Sequence, residues 1–336
     1  MRYYGGKSKL LDLISEGVSE TNLTSDSIFL DAFSGTSVVG EYFKKKDFTV
    51  YSNDTLHHCF TLAKGLIEIN NEPKFRKFDE DIFFILNSLK GITGFLTKHY
   101  SPYKNNERKY FSVDNAMKID AINFKIHEYL TNGLISSREF YYLKTSLLKA
   151  INLVSNVSGT YGAYLKSWDA RALNDLKLEH PNLYDNKKKN KAFNEDINNL
   201  ATRIKVDIAY LDPPYNSRQY HSNYFIPELL SRGWFDEKYE PKGVTGMVDF
   251  SNLKSQYSSK KFAYKQLEDL IVNLNCKYIL LSYNNEGIVD SDKIKKLLSG
   301  KGDLKIINKE HKRYRSINQD GSNIKTKEFL YVVKVY

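Results

Sequence analysis

Residues 212–215, Asp-Pro-Pro-Tyr, combine the groups that can hold an amino group on a planar ring. The six residues before them, Val-Asp-Ile-Ala-Tyr-Leu, are apolar and β-branched enough to predict a buried strand. Pro213 and Pro214 end that strand, because proline donates no N–H to a sheet and keeps its predecessor extended. The Asp212 carboxylate and the Pro213 carbonyl are then two acceptors beside the flat ring of Tyr215. The pattern favours a site for the exocyclic amine of a nucleobase; the alternative is a plain surface turn.

The composition favours a nucleic-acid partner. The 336 residues include 50 Lys and Arg against 40 Asp and Glu, a net charge of +10. That excess either attracts a polyanion or serves solubility alone, but the 25 Tyr and 19 Phe also offer rings on which bases stack. The two cysteines, Cys59 and Cys276, form no zinc ligand set and follow no proline. We therefore expect neither a metal site nor cysteine-based methylation at cytosine C5.

The chain shows no signal for a membrane or for export. Its first residues, Met-Arg-Tyr-Tyr-Gly-Gly-Lys, lack the apolar stretch of a signal peptide. No uninterrupted apolar run approaches the length that spans a bilayer. We expect a soluble, cytoplasmic protein with no membrane partner.

Two acid-terminated strand patterns near the amino end predict a cofactor site. The apolar residues 28–30 end at the acid Asp31 and lead into a small-residue turn that ends at Gly35. A helix is predicted over 38–43, and a second strand over 48–54. Strand, turn, helix, strand is the beginning of a doubly wound α/β sheet, in which ligands bind at the carboxyl ends of the strands.

The turn between the first strand and helix favours a cofactor without a phosphate. It lacks the Gly-x-Gly-x-x-Gly spacing of a dinucleotide site, so a smaller adenosine-bearing molecule fits better. Asn53 and Asp54, at the end of the second strand, would accept hydrogen bonds from ribose hydroxyls. For Asp54 an ordinary helix N-cap is the alternative.

A long insert is predicted to interrupt the sheet. Residues 65–190 show helical patterns such as 140–153 and no strand–acid repeat, and the basic tract 185–191 is typical of a loop. Strand patterns resume in the second half, at 204–212, 278–283 and 329–335. The predicted division is therefore a sheet domain, 1–64 with 191–336, and an inserted, mostly helical region, 65–190.

These motifs together resemble the D12 class of N6-adenine-specific DNA methyltransferases. The stretches that carry the resemblance are, in chain order, 3–7, 31–35, 53–54, 156–166, 212–220, 282–287 and 312–315. The cofactor turn precedes the insert and the Asp-Pro-Pro-Tyr segment, which is the alpha arrangement of the class. The continuation Asn-Ser-Arg-Gln-Tyr at 216–220 is similar to type II modification enzymes of restriction systems. Ser37 departs from the pattern, because the class has a glycine there.

The resemblance implies a Rossmann-like doubly wound methyltransferase sheet, with 65–190 as the target-recognition region and S-adenosylmethionine as the methyl donor. It puts Tyr3 and Lys7 beside the methionine part of the cofactor and Asp54 on the ribose. It puts Asp196 on the adenine, where Glu195 competes. The full predicted cofactor set is Tyr3, Lys7, Asp31, Phe33, Ser34, Gly35, Asn53, Asp54 and Asp196.

The implied reaction is methylation of the N6 amine of an adenine flipped out of a specific duplex DNA sequence, protecting it from a cognate endonuclease. The predicted catalytic residues are Asp212, Pro213, Pro214 and Tyr215. The predicted DNA contacts are Arg218, Tyr220, Lys312, Arg313, Tyr314 and Arg315. A solvated basic face is the alternative for 309–315, and a pairing with a restriction endonuclease stays open. The rival functions are an amino-methyltransferase for cytosine N4 or for RNA, and a catalytically silent DNA-binding subunit.

Overall fold

The computed structural model describes residues 6–235, 239–317 and 323–336, with only the backbone of 310–317 and 323–326. Within these residues seven strands form one sheet: β1 (Ile28–Asp31), β2 (Thr49–Asn53), β3 (Lys191–Phe193), β4 (Ile208–Leu211), β5 (Tyr278–Asn284), β6 (Gly302–Ile317) and β7 (Asn323–Val335). Their spatial order is β3-β2-β1-β4-β5-β7-β6. The first five strands pair in parallel, whereas β7 is antiparallel to both β5 and β6.

The strand order confirms the predicted α/β fold with a Rossmann-like, doubly wound methyltransferase sheet. The order reverses between β1 and β4, and in such sheets ligands bind at the carboxyl strand ends beside that reversal. All four residues of β4 are buried, which explains its continuous apolar sequence. The sequence did not predict β3, which has three residues, or β6, whose residues from Lys305 to Lys312 lack a regular apolar alternation.

The same described residues form twelve α-helices: α1 (Leu11–Ser19), α2 (Val38–Lys44), α3 (His57–Ala63), α4 (Ile82–Ser88), α5 (Phe95–Tyr100), α6 (Val113–Thr131), α7 (Ser137–Val154), α8 (Ile197–Ala201), α9 (Tyr220–Asn223), α10 (Phe225–Arg232), α11 (Ala263–Asn273) and α12 (Ser291–Ser299). A π-helical turn, Lys64–Glu68, continues α3. Short 3₁₀ turns lie at Tyr103–Asn105, Ala170–Leu173, Ser251–Leu253 and Gln256–Ser258.

One compact unit, the sheet unit, consists of Lys7–Thr55, Lys188–Gln219 and Ser255–Tyr336. Its core lies against the sheet and includes Leu30, Leu211, Leu270, Leu281 and Val333, none of them more than 1% exposed. The burial of these side chains stabilises the strands whose carboxyl ends carry the predicted site.

A second compact unit, the helical unit, contains Leu56–Lys187 together with Tyr220–Lys254. Its core is formed mainly by α6, α7 and α10 and contains many buried rings, for example Tyr100, Tyr110, Tyr142 and Phe225. The segment 220–254 packs here, although the sequence-based division assigned it to the sheet domain. That segment shows no strand–acid pattern, and its apolar residues join the helical core.

None of the helices in the described part of the chain combines the length and apolar character that a bilayer crossing requires. The same part contains no group of three His, Cys, Asp or Glu side chains arranged to hold a metal ion. Both cysteines are free thiols, Cys59 buried and Cys276 half-buried.

Candidate active site

The Asp-Pro-Pro-Tyr segment lies directly after β4, at the carboxyl edge of the sheet. β4 is flanked by β1 and β5, so Asp212 follows a strand that is paired on both sides. Pro213 is buried, and within the described residues no group donates a hydrogen bond to its carbonyl oxygen. The chain therefore presents a carboxylate and an open carbonyl side by side, as the sequence predicts.

Lys7 and Asp212 form a nearly buried ion pair. Lys7 Nζ lies 3.0 Å from Asp212 Oδ1, and the two side chains are only 6% and 15% exposed. Burial raises the pKa of Asp212, and the Lys7 cation lowers it, for a value of about 6. Burial also disfavours the charged form of Lys7, but Asp212, Tyr210 and Glu328 together outweigh it and raise the Lys7 pKa. The pair is thus ionised at neutral pH.

Tyr215 is held in place beside this pair. Its carbonyl oxygen accepts a hydrogen bond of 2.9 Å from the N–H of Ile288. Its ring packs edge-on against Tyr283, with 5.9 Å between the centroids, and Lys7 Nζ lies 5.3 Å from the Tyr215 centroid. Lys7 therefore contacts both Asp212 and Tyr215, the carboxylate and the ring that the sequence predicts to bind an amine-bearing heterocycle.

The first strand–helix turn is built from hydrogen bonds between its backbone and two strand-end acids. The N–H of Gly35 donates to Asp54 Oδ2 at 2.9 Å, and the N–H of Gly40 donates to Asp31 Oδ2 at 3.1 Å. Ser34 is buried in the turn, and Phe33 packs edge-on against Tyr257 at 5.1 Å. These contacts bring the carboxyl ends of β1 and β2 together.

Ser37 occupies a backbone conformation that favours glycine. Its φ is +63° and ψ +17°, immediately before α2, and it is fully buried. Among the described residues its hydroxyl oxygen has no hydrogen-bond partner. Ser37, which stands where the family pattern has glycine, therefore adopts a left-handed backbone conformation that strains a serine but not a glycine.

Asp31 is a buried acid whose environment opposes ionisation. It is 1% exposed. Burial, followed by the negative charges of Asp212 and Asp54, raises its pKa to about 8, although the Gly40 N–H counteracts this. Asp31 is thus largely protonated at neutral pH, and the three acids lie near enough to one another to interact. A cationic ligand would relieve their repulsion.

Asn53 is used within the protein framework. Its side-chain nitrogen donates to the carbonyl oxygens of Ala32 and Glu195, at 3.3 and 3.1 Å, and its side-chain oxygen accepts from the Glu195 N–H at 3.3 Å. Asn194 donates to the Asp54 carbonyl oxygen at 2.7 Å. Asn53 therefore joins the ends of three segments and positions Asp54.

Asp196 caps the helix α8. Its Oδ1 accepts hydrogen bonds from the N–H groups of Asn198 and Asn199, at 2.8 and 3.3 Å, and its side chain is exposed. Glu195, the competing acid, forms an ion pair with Arg203. These hydrogen bonds do not test the predicted contact between Asp196 and the adenine of the cofactor, which stays a prediction.

The predicted DNA-contacting residues fall into three groups. Arg218 is exposed, and its carbonyl oxygen accepts a hydrogen bond from Ser258 in the sheet unit. Tyr220 begins α9 in the helical unit and stacks on Tyr224 with centroids 6.3 Å apart. Residues 312–315 belong to β6, and their side chains lie outside the described residues, as does Tyr3 altogether.

Glu328 is an acid of this site that the sequence did not reveal. It lies on β7 opposite Asn284 of β5, is 3% exposed, and its charge raises the pKa of both Asp212 and Lys7. Only an antiparallel β7 brings its amino end to the carboxyl edge of the sheet. The sequence offers one signal for Glu328, an acid before the apolar run 329–335. That signal places Glu328 at the site only when the antiparallel direction of β7 is known.

Comparisons with known proteins agree with the motifs. The chain is 42% identical to the modification methylase StsI of Streptococcus sanguinis and 38% identical to the type II methyltransferase M.FokI of Planomicrobium okeanokoites. Each alignment covers 99% of this chain but only 52% and 53% of those proteins, so the chain spans about half their length. With M.NlaIII of Neisseria lactamica it shares 33% identity over 99% of both chains.

The family match extends over nearly the whole chain. The model of the D12 class N6 adenine-specific DNA methyltransferases matches residues 3–314, which include the cofactor turn, the helical unit and the Asp-Pro-Pro-Tyr segment. M.NlaIII, of which the alignment covers 99%, is likewise a type II methyltransferase. This chain belongs to the D12 class of N6 adenine-specific DNA methyltransferases.

Proposed function

We propose that this protein transfers a methyl group from S-adenosylmethionine to the N6 amine of an adenine flipped out of a specific DNA duplex. It acts in the cytoplasm and protects that sequence from a restriction endonuclease. The observation that carries the proposal is the Asp212 carboxylate, held 3.0 Å from Lys7 and followed by the open carbonyl of Pro213. Family membership supports the reaction class.

The two acceptors explain how an unreactive amine becomes a nucleophile. The lone pair of an adenine amine is delocalised into the ring. When one N–H donates to Asp212 and the other to the Pro213 carbonyl, the nitrogen becomes more pyramidal and its lone pair is localised. Acceleration then comes from position and preorganised charge, with no covalent enzyme intermediate. Tyr215 provides the flat surface on which the extruded base stacks.

The residues present suit the proposed methyl donor. S-adenosylmethionine supplies an electrophilic methyl on a sulfonium cation, and the cluster of Asp31, Asp54 and Asp212 favours a positive charge at this edge of the sheet. Gly35 gives the backbone room for close approach, and the half-buried Asp54 carboxylate would accept hydrogen bonds from the ribose hydroxyls. Lys7 offsets only part of this negative charge, to which Glu328 also contributes.

Recognition of the DNA sequence is assigned to the helical unit, including the predicted region 65–190. Arg218 and the strand segment 312–315 are assigned to the phosphate backbone, which positions a duplex without reading its sequence. Tyr220 is assigned to the DNA near the target.

The decisive experiment is transfer of a labelled methyl group from S-adenosylmethionine to duplex DNA, followed by nucleoside analysis. N6-methyladenine is the expected product. N4-methylcytosine, methylation of RNA alone, or DNA binding without any product would each overturn the proposal. Sequencing the host DNA for modified adenines after expression of the chain would then identify the recognition sequence.

Two substitutions separate the capping function of Asp196 from the proposed contact with the cofactor's adenine. Asp196→Ser keeps a good N-cap, whereas Asp196→Ala loses it. The proposal expects the KM for S-adenosylmethionine to rise about tenfold in both variants, because a charge-assisted hydrogen bond is lost in both. A normal KM in Asp196→Ser would leave Asp196 as a helix cap alone.

A further inference from the structure

Three acidic side chains of the sheet unit lie together at the carboxyl edge of the sheet, and they are here called the acid row: Asp31, Asp212 and Glu328. Asp31 on β1 is the register partner of Tyr210 on β4, and Asp212 follows Tyr210 by two residues. The pairing of β4 with β5 and of β5 with β7 puts Glu328 on the same face as Tyr210, because side chains two residues apart on a strand share a face. The charges of these acids act on one another.

The acid row is buried around Lys7. Asp31 and Glu328 are 1% and 3% exposed, and Asp212 is 15% exposed in its ion pair with Lys7. The charge of Lys7 can balance one of the three carboxylates. Ionising the others as well would bring negative charges close together away from water, which is costly. The acid row is therefore a place where the protein retains a proton.

Asp31 is the acid of the row that holds this proton. The groups that face it are the Gly40 N–H from α2, Asp54 after β2, and Tyr210 and Asp212 from β4. Burial, with the charges of Asp212 and Asp54, raises the pKa of Asp31 to about 8, against the effect of the Gly40 N–H. The pKa of Asp212 is about 6, because Lys7 offsets much of the effect of burial. At neutral pH Asp31 is thus protonated and Asp212 is ionised.

Tyr210 offers a hydrogen bond that the protein itself does not use. Its side chain is 1% exposed, and among the described residues its hydroxyl makes no hydrogen bond of ordinary geometry. Burial and the charge of Asp212 raise its pKa well above the ordinary value, against the weaker effects of Lys7 and Ser282, so the hydroxyl keeps its proton. An unused donor beside Asp31 suits a carboxylate that becomes ionised when a ligand binds.

We propose that Asp31 exchanges a proton for the positive charge of the sulfonium cofactor. Asp31 is protonated while the cofactor site is empty, and it gives this proton to solvent when the sulfonium binds. It later takes up the proton that the methylated amine loses. This inference rests on the proposed function, because only a sulfonium donor brings that positive charge to the acid row.

The exchange balances the protons and charges of the reaction. When the methyl group moves, the lone pair of the amine forms the new nitrogen–carbon bond, and the electron pair of the carbon–sulfur bond stays on sulfur. The positive charge thereby passes to the amine nitrogen, which loses an N–H proton to the acid row through Asp212, the proposed acceptor of that N–H. With the sulfonium charge gone, Asp31 again holds the proton. The proton therefore enters solvent when the cofactor binds, and not when the methyl group is transferred.

The first test counts the protons released on binding. Calorimetric titrations of the full chain at pH 7, in buffers of different ionisation enthalpy, compare S-adenosylmethionine with S-adenosylhomocysteine, whose sulfur is neutral. We expect about one proton released for the sulfonium and less than about 0.3 for the neutral ligand. The affinity for S-adenosylmethionine should rise by up to about tenfold per pH unit below pH 8 and then level off, since a proton competes with it for Asp31.

Asp31→Asn removes the exchangeable proton and keeps the shape of the side chain. Asparagine retains an oxygen for the Gly40 N–H, which lies 3.1 Å from Asp31 Oδ2. The variant should release no proton, bind S-adenosylmethionine about tenfold more weakly, and bind S-adenosylhomocysteine within about twofold of the parent. The matched control is Asp207→Asn at the amino end of β4, where Asp207 pairs with Lys277 at 2.8 Å. It should behave as the parent with both ligands.

Single-turnover methylation tests the return of the proton. The protein is first saturated with S-adenosylmethionine in weak buffer and then mixed with a duplex that contains its mapped recognition sequence, and a pH indicator follows the protons. The parent should release less than about 0.3 proton as N6-methyladenine forms, because Asp31 takes the proton up. Asp31→Asn should release about one proton in the same step.

Three results would contradict these inferences in different ways. Equal proton release for the two ligands in the parent would overturn the exchange, whatever the variants do. Release that persists in Asp31→Asn but is lost in Glu328→Gln would assign the proton to Glu328 and overturn the role of Asp31. A parent that binds neither ligand, or that makes no N6-methyladenine, would instead contradict the proposed function, and this outcome is seen without any proton measurement.

Discussion

Lys7 Nζ lies 3.0 Å from Asp212 Oδ1, in a pair whose members are only 6% and 15% exposed. The residues are separated by more than 200 positions in sequence, and the sheet unit brings them together at the carboxyl end of β4. The lysine that the family pattern connects with the cofactor is thus in direct contact with the carboxylate proposed to bind the target amine. The pair couples the two halves of the proposed site electrostatically.

Replacing Asp212 by Asn should lower the rate of methyl transfer at least about 100-fold, because one charged acceptor for the amine is lost. The matched control is Asp207→Asn at the opposite, amino end of β4. Asp207 pairs with Lys277 and accepts the Ile28 N–H, both at 2.8 Å. Single-turnover rates and circular dichroism should show a folded, inactive Asp212→Asn and an active Asp207→Asn. Substantial activity in Asp212→Asn would contradict the catalytic assignment.

The pH dependence of kcat/KM for DNA should have a rising limb near pH 6. The Asp212 carboxylate must be ionised to accept the amine, and burial together with Lys7 sets its pKa at about 6. Activity is therefore lost as the pH falls through that value. A pH–rate profile from pH 5 to 8 measures the limb.

Two substitutions should move this limb in opposite directions. The Lys7 cation lowers the pKa of Asp212, so Lys7→Met should shift the limb to higher pH; the Glu328 anion raises it, so Glu328→Gln should shift the limb to lower pH. A mere structural disturbance would reduce the rate without opposite shifts. Unmoved limbs, or shifts in one direction, would show that the limb belongs to another group.

Ser37→Gly should raise the free energy of unfolding by about 1 kcal/mol, because glycine adopts a φ of +63° without strain. The control is Ser52→Gly in β2. Ser52 is also fully buried with an unpartnered hydroxyl among the described residues, but it has extended strand geometry. Glycine should destabilise that strand. Thermal unfolding measures both, and a lower Tm for Ser37→Gly would refute the strain.

Glu228→Gln should destabilise the helical unit at neutral pH. Glu228 is fully buried, accepts the N–H groups of His57 and His58 at the start of α3, and pairs with His58 Nδ1 and Arg232 at 2.8 Å each. Burial opposes ionisation, but the His58 and Arg232 interactions prevail and hold the pKa of Glu228 at about 2, against an ordinary 4.5. This difference corresponds to roughly 3 kcal/mol.

The sign of the pH effect follows from that depressed pKa. The stabilisation is fully present above pH 4.5 and is lost as the pH falls towards 2, and Glu228→Gln should lack this acid sensitivity. Both tryptophans, Trp168 and Trp234, belong to the helical unit, so urea unfolding followed by tryptophan fluorescence reports on it. Glu68→Gln, in a half-buried pair with Lys64 that is far more accessible to solvent than Glu228, should change stability by less than about 0.5 kcal/mol. A change in the free energy of unfolding of less than about 0.5 kcal/mol in Glu228→Gln would contradict the prediction.

The sequence by itself determined the local parts of the site. A proline pair must stop a strand, and apolar runs that end in acids predict parallel strands with ligands at their carboxyl ends. Asp212, Asp54 and the first turn were therefore recognisable, and the family followed from their order. These inferences concern short stretches of backbone, whose conformation is determined by residues that are neighbours in the sequence.

Only the tertiary structure decided which distant residues meet. Lys7 reaches Asp212 because the chain returns to one sheet edge, and Glu328 joins them because β7 runs antiparallel to β5. Arg108 and Tyr110 donate hydrogen bonds to the carbonyl oxygens of Val244 and Thr245, which lie 136 and 135 positions further along the chain. Strand direction and long-range packing carry no local sequence signal, since they depend on how all elements share one core.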